Sequence, residues 1–289
     1  CSVKFGVHIH RGGSLTKALE IATDLGCDTI QMFSRSPRSL RATSVNVQDA
    51  RRFREGLAAT GIGPLVIHTP YLLNLASPKE ETYEASVAAL AHDISLARLL
   101  GADYLVFHPG SHLGSGDEAG IARIARALVQ AWEKTACAAC SGPMLLLEMV
   151  SGAGTEIGKT FEQQKEIMDR ASRVPLGICL DTCHVFAAGY DVKTKEGIAA
   201  TLDALERAAG MSSLTVVHAN DSEGSLGSHL DRHAHIGEGY IGEDGFRAIL
   251  GCERLAHLPF ILETPHRDIA DDVRNLAALR RIASEAVNW

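Results

Sequence analysis

Short runs rich in Val, Ile and Leu alternate with longer amphipathic segments along the whole 289-residue chain. Parallel strands buried on both faces produce runs of this kind, and amphipathic helices produce the segments between them. Eight such units follow one another, so the pattern predicts eight strand-helix repeats. The predicted strands cover residues 3–9, 28–33, 65–69, 104–108, 144–148, 176–181, 214–219 and 260–263.

The segments between the predicted strands have the periodicity of outer helices. In residues 80–100 and 119–139, apolar side chains recur every three or four positions, with Ala, Leu, Glu and Arg between them. Several helical segments end in a glycine just before the next strand, as expected for a C-cap. No linker or composition shift interrupts the series. We therefore expect residues 1–289 to form a single domain, a (β/α)₈ TIM barrel of the α/β class.

The overall composition is that of a globular protein. Hydrophobic residues make up 46% of the chain and charged residues 22%, which is typical of a soluble domain with a sizeable core. The apolar runs fall short of the roughly 18 to 20 residues that span a bilayer, and the first residues given show no basic region followed by a long apolar stretch. We expect an intracellular protein without a membrane partner, cytoplasmic at the nucleoid in a bacterium, or nuclear or organellar in a eukaryote.

Seven cysteines are scattered through the chain. An odd number in a long chain, mostly within apolar segments, favours reduced thiols. Cys137 and Cys140 form a CxxC in Ala-rich, helical surroundings, with no second pair at the spacing of a zinc ribbon. We therefore interpret them as partly buried helix residues.

Six imidazole and carboxylate side chains fall at the C-terminal ends of the third to the eighth predicted strands. These ends form the rim on which TIM-barrel active sites are built, so the six side chains should converge. One such histidine alone would usually be a core residue, but six acidic and imidazole groups crowded together are costly without a metal. Nitrogen and oxygen donors together suit Zn²⁺ or Mn²⁺. The six are His68, His108, Glu148, Asp181, His218 and Glu263.

Two local motifs extend this cluster. His184 closes the DTCH sequence after the sixth strand, and Asp231 and His233 belong to a DRH sequence in the long loop after the seventh. Residues two apart in an extended segment share a face, so Asp231 and His233 could hold one ion together with His184. Nine candidate ligands suit three metals. Because a bridging carboxylate between ions about 3.5 to 4 Å apart supports in-line attack on phosphorus, the predicted chemistry is phosphodiester hydrolysis.

The net charge of -7 opposes a broadly basic nucleic-acid surface, since phosphate binding normally needs clustered Lys and Arg. Bound metals would reverse this locally. If four carboxylates are ligands, the rest of the chain carries -7 + 4 = -3, and three divalent ions add about +6. We expect an electropositive cleft on a mildly acidic body.

Several long motifs resemble the endonuclease IV family, also called AP endonuclease family 2, in the order in which they occur there. They are HTPYLLNLA (68–76), FHPGSH (107–112), ICLDTCHVFAAGYD (178–191), VHANDS (217–222), DRHAHIGEG (231–239) and ETP (263–265). The resemblance covers nearly the whole chain. It implies a zinc enzyme that flips an abasic nucleotide out of bent duplex DNA and cuts 5′ to the lesion, leaving a 3′-hydroxyl and a 5′-deoxyribose phosphate.

The resemblance also implies how the ligands are divided among three zinc ions, with Glu148 bridging two of them and serving as the catalytic carboxylate. The first ion is held by His68, His108 and Glu148. The second is held by Glu148, Asp181, His218 and Glu263. The third is held by His184, Asp231 and His233. Ligand types alone leave open whether Mn²⁺ takes one of these sites.

Loops at the rim are expected to contact the DNA. Arg38 and Tyr71 match family positions that enter the minor groove or fill the gap at the lesion. His8, His112 and Arg232 are candidates for contacting phosphates or supporting the ligands. The partner is double-stranded DNA with abasic or 3′-blocked lesions, and a monomer is expected because the rim must close on a long duplex.

The chain departs from the family pattern after Glu148. The family usually has Asn-Thr-Ala-Gly-Gln-Gly there, whereas this chain has Met149-Val-Ser-Gly-Ala153-Gly. Two polar side chains are thereby replaced, which removes hydrogen-bonding groups and is expected to alter DNA contacts, metal exchange or side activities.

Two other functions remain open from the residues. A metal-dependent sugar isomerase or epimerase shares the barrel and a Glu/Asp/His rim, but it needs only one or two metals and gives no role to the DRH sequence. A non-catalytic protein that binds damaged DNA, or a structural zinc barrel, is the other. Structural zinc sites are usually closed by four Cys-rich ligands, unlike the carboxylate-rich set here.

Overall fold

The computed structural model describes residues 3–10, 14–135 and 142–286, and in it eight parallel strands close into a barrel with the helices outside. Each strand pairs with its neighbour in sequence, and the last strand closes onto the first. The TIM-barrel prediction is therefore confirmed. The barrel strands are β1 (Lys4–His8), β2 (Thr29–Phe33), β3 (Leu65–His68), β4 (Tyr104–Phe107), β5 (Met144–Glu148), β6 (Leu176–Asp181), β7 (Leu214–His218) and β10 (Pro259–Leu262).

Helices pack around the barrel, and a small antiparallel pair of strands lies in the long segment after β7. That pair consists of β8 (Asp221–Ser222) and β9 (His233–Ala234). Short 3₁₀ turns precede β7 and β10. The described α-helices are α1 (Leu15–Asp24), α2 (Val47–Thr60), α3 (Glu80–Leu100), α4 (Asp117–Lys134), α5 (Phe161–Arg170), α6 (Thr182–Ala188), α7 (Lys195–Ala209), α8 (Gly242–Leu250) and α9 (Ile269–Ala286).

Side-chain caps and glycines define the ends of several helices. The Asn46 side chain accepts a hydrogen bond from the backbone N–H of Gln48 at the start of α2, and Thr194 caps α7 in the same way through Gly197. At the other end, Gly61 and Gly101 adopt left-handed conformations with φ of 72° and 70°, which a side chain would disfavour. These local signals explain why the helix boundaries follow the sequence closely.

The core has two parts. A large apolar cluster fills the space between the barrel and the helices, and a separate cluster fills the barrel interior. The interior cluster contains Val66, Val106, Leu146, Cys179, Val216 and Ile261, with Tyr104 packed against it. The barrel below the rim is therefore packed with side chains.

The strand predictions agree with the structure to within a residue or two at most ends. Helix α3 has the predicted bounds. The helix predicted at 119–139 begins two residues earlier and is described to Lys134; residues 136–139 lie outside the described part, as do Cys1, Cys137 and Cys140.

The four cysteines within the described residues are free thiols, in agreement with reduced cysteines: Cys27, Cys179, Cys183 and Cys252. Among the described residues, no helix is both long enough and apolar enough to cross a membrane.

Candidate functional site

The six predicted strand-end ligands stand directly above the interior apolar cluster. Each lies two residues after a member of that cluster, as His68 follows Val66 and Glu148 follows Leu146. Because side chains alternate between the two faces of a strand, the residue two positions on points into the same interior. The six polar groups therefore form the next layer of the barrel, at its C-terminal rim.

Glu148 lies at the centre of this layer and is fully buried. Its Oε2 atom lies 2.9 Å from His68 Nε2 and 3.1 Å from His108 Nε2. Its Oε1 atom lies 3.2 Å from His218 Nδ1. The two oxygens of one carboxylate thus face different sets of imidazoles, which is the arrangement that a bridging ligand requires.

Asp181, His218 and Glu263 gather beside the Oε1 atom of Glu148. His218 Nδ1 is 3.1 Å from Glu263 Oε2 and 4.0 Å from Asp181 Oδ2. Asn220 holds this group together, since its amide N–H donates to Asp181 Oδ2 at 2.6 Å and its carbonyl oxygen accepts from the backbone N–H of Glu263 at 2.8 Å. One amide therefore fixes the carboxylate of β6 relative to the end of β10.

His184, Asp231 and His233 form a third group at the mouth of the barrel. His184 Nε2 lies 3.0 Å from Asp231 Oδ1, and His233 Nε2 lies 3.8 Å from the same oxygen. His184 enters from α6, whose start is capped by the Asp181 side chain. Strands β8 and β9 place His233 opposite Ser222, which brings the long loop back over the rim.

The direction of the ring N–H groups fits a metal. Three of the five histidines that are candidate ligands use Nδ1 to donate to a backbone carbonyl. They are His68 to Thr69, His184 to Met149 and His233 to Glu263, at 2.7, 2.9 and 2.8 Å. In a neutral ring, Nε2 then carries a lone pair. The Nε2 atoms of His184 and His233 face each other at 3.4 Å. Two facing lone pairs repel unless a cation or a proton lies between them.

The pKa values of the buried groups also indicate that the site needs positive charge beside its carboxylates. Burial alone would raise the pKa of the Glu148 carboxyl, but His108 and His218 outweigh it and hold that pKa well below its usual range. Burial likewise opposes a proton on His218, yet Cys179, Glu263 and Glu148 together raise its pKa well above the ordinary value. Carboxylates that stay ionised in a buried site require positive charge beside them, from protons or from metal ions.

Within the described residues, the candidate ligand atoms fall into groups whose members lie within 4.8 Å of one another. Three groups have the membership that the resemblance implies for the three ions. A fourth group, which the sequence did not suggest, combines Asp181, Cys183 and His233. It shares two members with the other groups and adds one buried thiol.

The groups open into a cleft of about 410 Å³ at the rim. A larger groove of about 700 Å³ lies outside the barrel between α3 and α4, and no candidate ligand lines it. The larger volume does not mark the functional site. The candidate ligands that line the rim cleft identify it as the candidate site. Its lining consists of His68, Tyr71, His108, His184, Asp231, Arg232, His233, Glu263 and Pro265.

The residues predicted to contact DNA occupy different positions. Tyr71 is 60% exposed at the cleft, with its ring edge-on to Phe33 at 5.2 Å. Arg38 is exposed on the loop after β2, and Arg232 lines the cleft with an exposed side chain, 3.6 Å from Glu223. These three face the solvent from which a duplex would approach.

The other two predicted DNA contacts, His8 and His112, point elsewhere. His8 is only 6% exposed, and its Nδ1 is 2.9 Å from the amide nitrogen of Gln31. This contact favours a role in supporting the ligands, and a phosphate contact by His8 stays a prediction. His112 Nδ1 accepts from the backbone N–H groups of Gly114 and Gly116, and Nε2 lies 3.3 Å from Asp117. Its ring nitrogens are engaged in shaping the loop before α4.

The departure after Glu148 lies mainly outside the cleft. The Met149 side chain is fully buried in the large apolar cluster. Only its backbone carbonyl touches the site, by accepting from His184 Nδ1, and that contact does not depend on the side chain. Ala153 belongs to a loop in which its N–H donates to Glu156. The changed side chains therefore leave the ligand geometry intact.

Asp221 is a residue whose role the sequence did not reveal. It is fully buried, and its carboxylate accepts from five backbone N–H groups, those of Ser222, Gly237, Gly239, Ile241 and Gly242. This carboxylate fastens the far end of the loop that carries Asp231 and His233. Its place directly after β7, in the VHANDS motif, was the available signal.

Comparison with known proteins agrees with the fold and identifies the family. A family model described as a xylose isomerase-like TIM barrel matches residues 19–289. A probable endonuclease 4 of Methanoculleus marisnigri is 47% identical over 282 residues, which cover 97% of this chain and 99% of the relative. A probable endonuclease 4 of Chloroflexus aurantiacus is 41% identical over 285 residues, which cover 98% and 99%.

Solved structures give the same relationship. Endonuclease IV from Thermus thermophilus superposes with a TM-score of 0.84 at 40% identity, covering 98% of this chain and 99% of that one. A D-tagatose 3-epimerase-like protein superposes with a TM-score of 0.70 at 22% identity, covering 99% and 100%, which establishes only a shared fold. Identity above 40% over nearly the full length is found with the endonucleases. The chain therefore belongs to the endonuclease IV family and is a hydrolase of the endonuclease class.

Proposed function

We propose that this chain is a zinc-dependent AP endonuclease of base excision repair, which hydrolyses the phosphodiester 5′ to an abasic site in duplex DNA. The products would be a 3′-hydroxyl and a 5′-deoxyribose phosphate. The observation that carries this proposal is the arrangement of nine donor side chains in three adjoining groups at one rim, two of which share Glu148. A barrel that isomerises a small sugar has no use for a third group at the mouth.

Zinc fits the donor set because imidazole nitrogen and carboxylate oxygen are its usual ligands outside thiolate sites. The proposed ligands are divided among three ions as the resemblance implies, and Mn²⁺ is the alternative at one of them. When bound, the ions supply Lewis acidity that activates water and neutralises charge on the phosphodiester.

The chain's own residues orient the ligands before substrate arrives. Backbone carbonyls hold the rings of His68, His184 and His233 so that Nε2 faces the cleft. Asn220 holds Asp181. Glu148 presents one oxygen to each of two ligand groups, so this one carboxylate would help to hold two ions. Ligands held in place in this way lose little entropy when the transition state forms.

DNA would approach the open side of the cleft. Tyr71 presents an exposed ring beside the first ligand group and is suited to stack in the gap left by a missing base. Arg38 and Arg232 are the exposed cations proposed to contact the backbone or minor groove. An abasic nucleotide is inexpensive to extrude because it has no base stacking to lose. We also propose that the enzyme acts inside the cell, as a monomer, and accepts 3′-blocked ends.

An end-labelled duplex with a single abasic analogue tests the proposal. The zinc-loaded protein should cut 5′ to the analogue and leave a 3′-hydroxyl that a polymerase extends. Chelation should abolish cleavage, and returned zinc should restore it. An undamaged duplex of the same sequence serves as the substrate control.

The failures are also informative. DNA binding without cleavage by the zinc-loaded protein would indicate a damage-recognition protein. Absence of both binding and cleavage, together with turnover of a ketose, would replace the nuclease by a sugar epimerase.

A further inference from the structure

We propose that Gln31 is a positioning residue of the metal centre, which fixes the ring orientation of His218 and the carboxylate of Glu263. This inference rests on the proposed metal-dependent function. Gln31 lies on β2, the second of the two barrel strands to which the sequence assigned no ligand. Its side chain is fully buried.

Gln31 belongs to the same interior layer as the ligands. Strand β2 lies between β1 and β3 in the barrel. Gln31 is paired with His8 on one side, and its amide reaches across to Glu263 on β10 and His218 on β7. A buried amide surrounded by ligand side chains has few explanations other than holding them, since an unpaired amide there would be costly.

The orientation of the amide follows from its partners. An ionised carboxylate can only accept hydrogen bonds, so the Gln31 NH₂ group must face Glu263 Oε1, at 2.6 Å. The Gln31 oxygen then faces His218 Nε2, at 2.7 Å, and must accept from it. His218 Nε2 therefore carries a proton. Its Nδ1 atom is left to face Glu263 Oε2 at 3.1 Å and Glu148 Oε1 at 3.2 Å.

This network distinguishes His218 from three other candidate ligands whose rings are held by a hydrogen bond, His68, His184 and His233. They use backbone carbonyls as anchors and present Nε2 to the cleft. His218 presents Nδ1 and depends on a side chain for its anchor. A side-chain anchor can be removed by substitution. Loss of such a partner typically lowers metal affinity by about 10- to 100-fold.

The test compares zinc retention by the full-length protein and two variants, without DNA. Gln31→Met keeps a similar volume and removes both hydrogen bonds. Thr201→Val is the control, because Thr201 is also buried and its hydroxyl donates to the backbone carbonyl of Asp191, which belongs to no ligand group in the described residues. Each protein is equilibrated against a series of chelator-buffered free zinc concentrations, and bound zinc per chain is measured by mass spectrometry.

We expect Gln31→Met to release one ion at a free zinc concentration about 10- to 100-fold higher than the wild type does, with the remaining zinc unaffected. Thr201→Val should lower the melting temperature without this shift. Equal retention by Gln31→Met and wild type, or an equal loss in both variants, would overturn the inference while leaving the proposed function in place. A wild-type chain that retains no zinc would overturn both.

A second variant keeps the inference testable if Gln31→Met does not fold. Gln31→Glu keeps an oxygen that accepts from His218 but loses the donor to Glu263. Long-range ¹H–¹⁵N correlation spectra of the zinc-loaded protein should show His218 protonated at Nε2 in wild type and Gln31→Glu. That signature should be lost in Gln31→Met. Its retention in Gln31→Met, or its loss in Gln31→Glu, would contradict the assigned role.

Discussion

His233 donates its Nδ1–H to the backbone carbonyl of Glu263 at 2.8 Å. The two residues belong to different ligand groups, and one hydrogen bond joins the start of β9 to the residue that follows β10. The position of the third group is thereby tied to that of the second. A substitution that displaces either segment should therefore displace ligands of both groups.

Glu148→Gln should reduce cleavage of abasic DNA by at least about 10³-fold. The substitution removes the charge that two ligand groups share, while the amide keeps the shape of the side chain. Zinc content should fall together with kcat. Glu156→Gln is the control, because that carboxylate accepts from the Ala153 N–H on a neighbouring loop and belongs to no ligand group in the described chain. Full activity in Glu148→Gln would exclude this residue as the bridge.

Asp221→Asn should lower the free energy of unfolding by about 2 to 4 kcal/mol, since a buried charge that accepts five backbone N–H groups is replaced by a neutral amide. The loop that carries Asp231 and His233 should loosen, and one zinc should become labile. Urea unfolding and zinc analysis measure the two effects. Asp191→Asn, in a half-buried loop where Asp191 accepts from Lys193 and Thr194, should cost about 1 kcal/mol or less. Similar losses in the two variants would argue against a special role for Asp221.

Zinc affinity should rise with pH. Burial opposes a proton on His184, but Asp181 and Asp231 raise its pKa well above the ordinary value, so the metal-free protein holds that proton at neutral pH. Zinc needs the neutral ring, and binding must release the proton. Raising the pH through this elevated pKa removes the competition. The Asp231 carboxyl is already ionised, because burial is outweighed by His184 and its pKa falls to about 2.

Titration calorimetry in two buffers with different ionisation heats measures this proton release. More protons should be released per zinc at about pH 6 than at about pH 9. Zinc affinity that does not change between these conditions would show that the third group is already free of protons.

Tyr71→Ala should lower kcat/KM on abasic DNA by about 10-fold or more, the usual contribution of one stacked aromatic ring. Tyr71→Phe should retain most of the activity, because it keeps the exposed ring that is proposed to stack. Binding to undamaged duplex should change little in either variant. Equal losses in the two variants would instead assign the contribution to the hydroxyl.

The buried thiols should resist alkylation in the folded protein. Burial raises the pKa of Cys179 and of Cys183 to about 12 and that of Cys27 to about 11, and the thiolate is the reactive form. Of the four cysteines in the described residues, Cys252, which is half-buried, should be labelled first. Peptide mapping after iodoacetamide treatment, with a denatured sample as the control, checks the order. Early labelling of Cys183 would mean that the mouth of the barrel opens.

The sequence predicted the barrel and the convergence of the ligands because both depend on local patterns. Strand periodicity puts His68 and Glu148 on the interior face, and the topology brings the strand ends together. Gln31 was missed because a single polar residue inside an apolar strand gives no periodic signal. Asp221 was missed because four of its five partners are backbone N–H groups from a distant part of the chain, residues 237–242, which the residue types do not encode.

The sequence left two roles open for His8, contacting phosphates or supporting the ligands, for a related reason. A histidine at the end of a strand can point to solvent or to its neighbours, and the sequence does not separate these directions. The contact with Gln31 favours the supporting role. Side-chain partners across the barrel require the register of all eight strands, which only the folded structure provides.

The apolar layer beneath the ligands, from Val66 round to Ile261, closes the barrel from below. In the part of the chain that the structure describes, ions at the proposed centre therefore reach solvent through the mouth lined by Tyr71 and Arg232. A duplex seated on the rim blocks that route. Bound DNA should therefore slow the removal of metal by a chelator. Metal loss from the complex should be no faster than release of the product DNA.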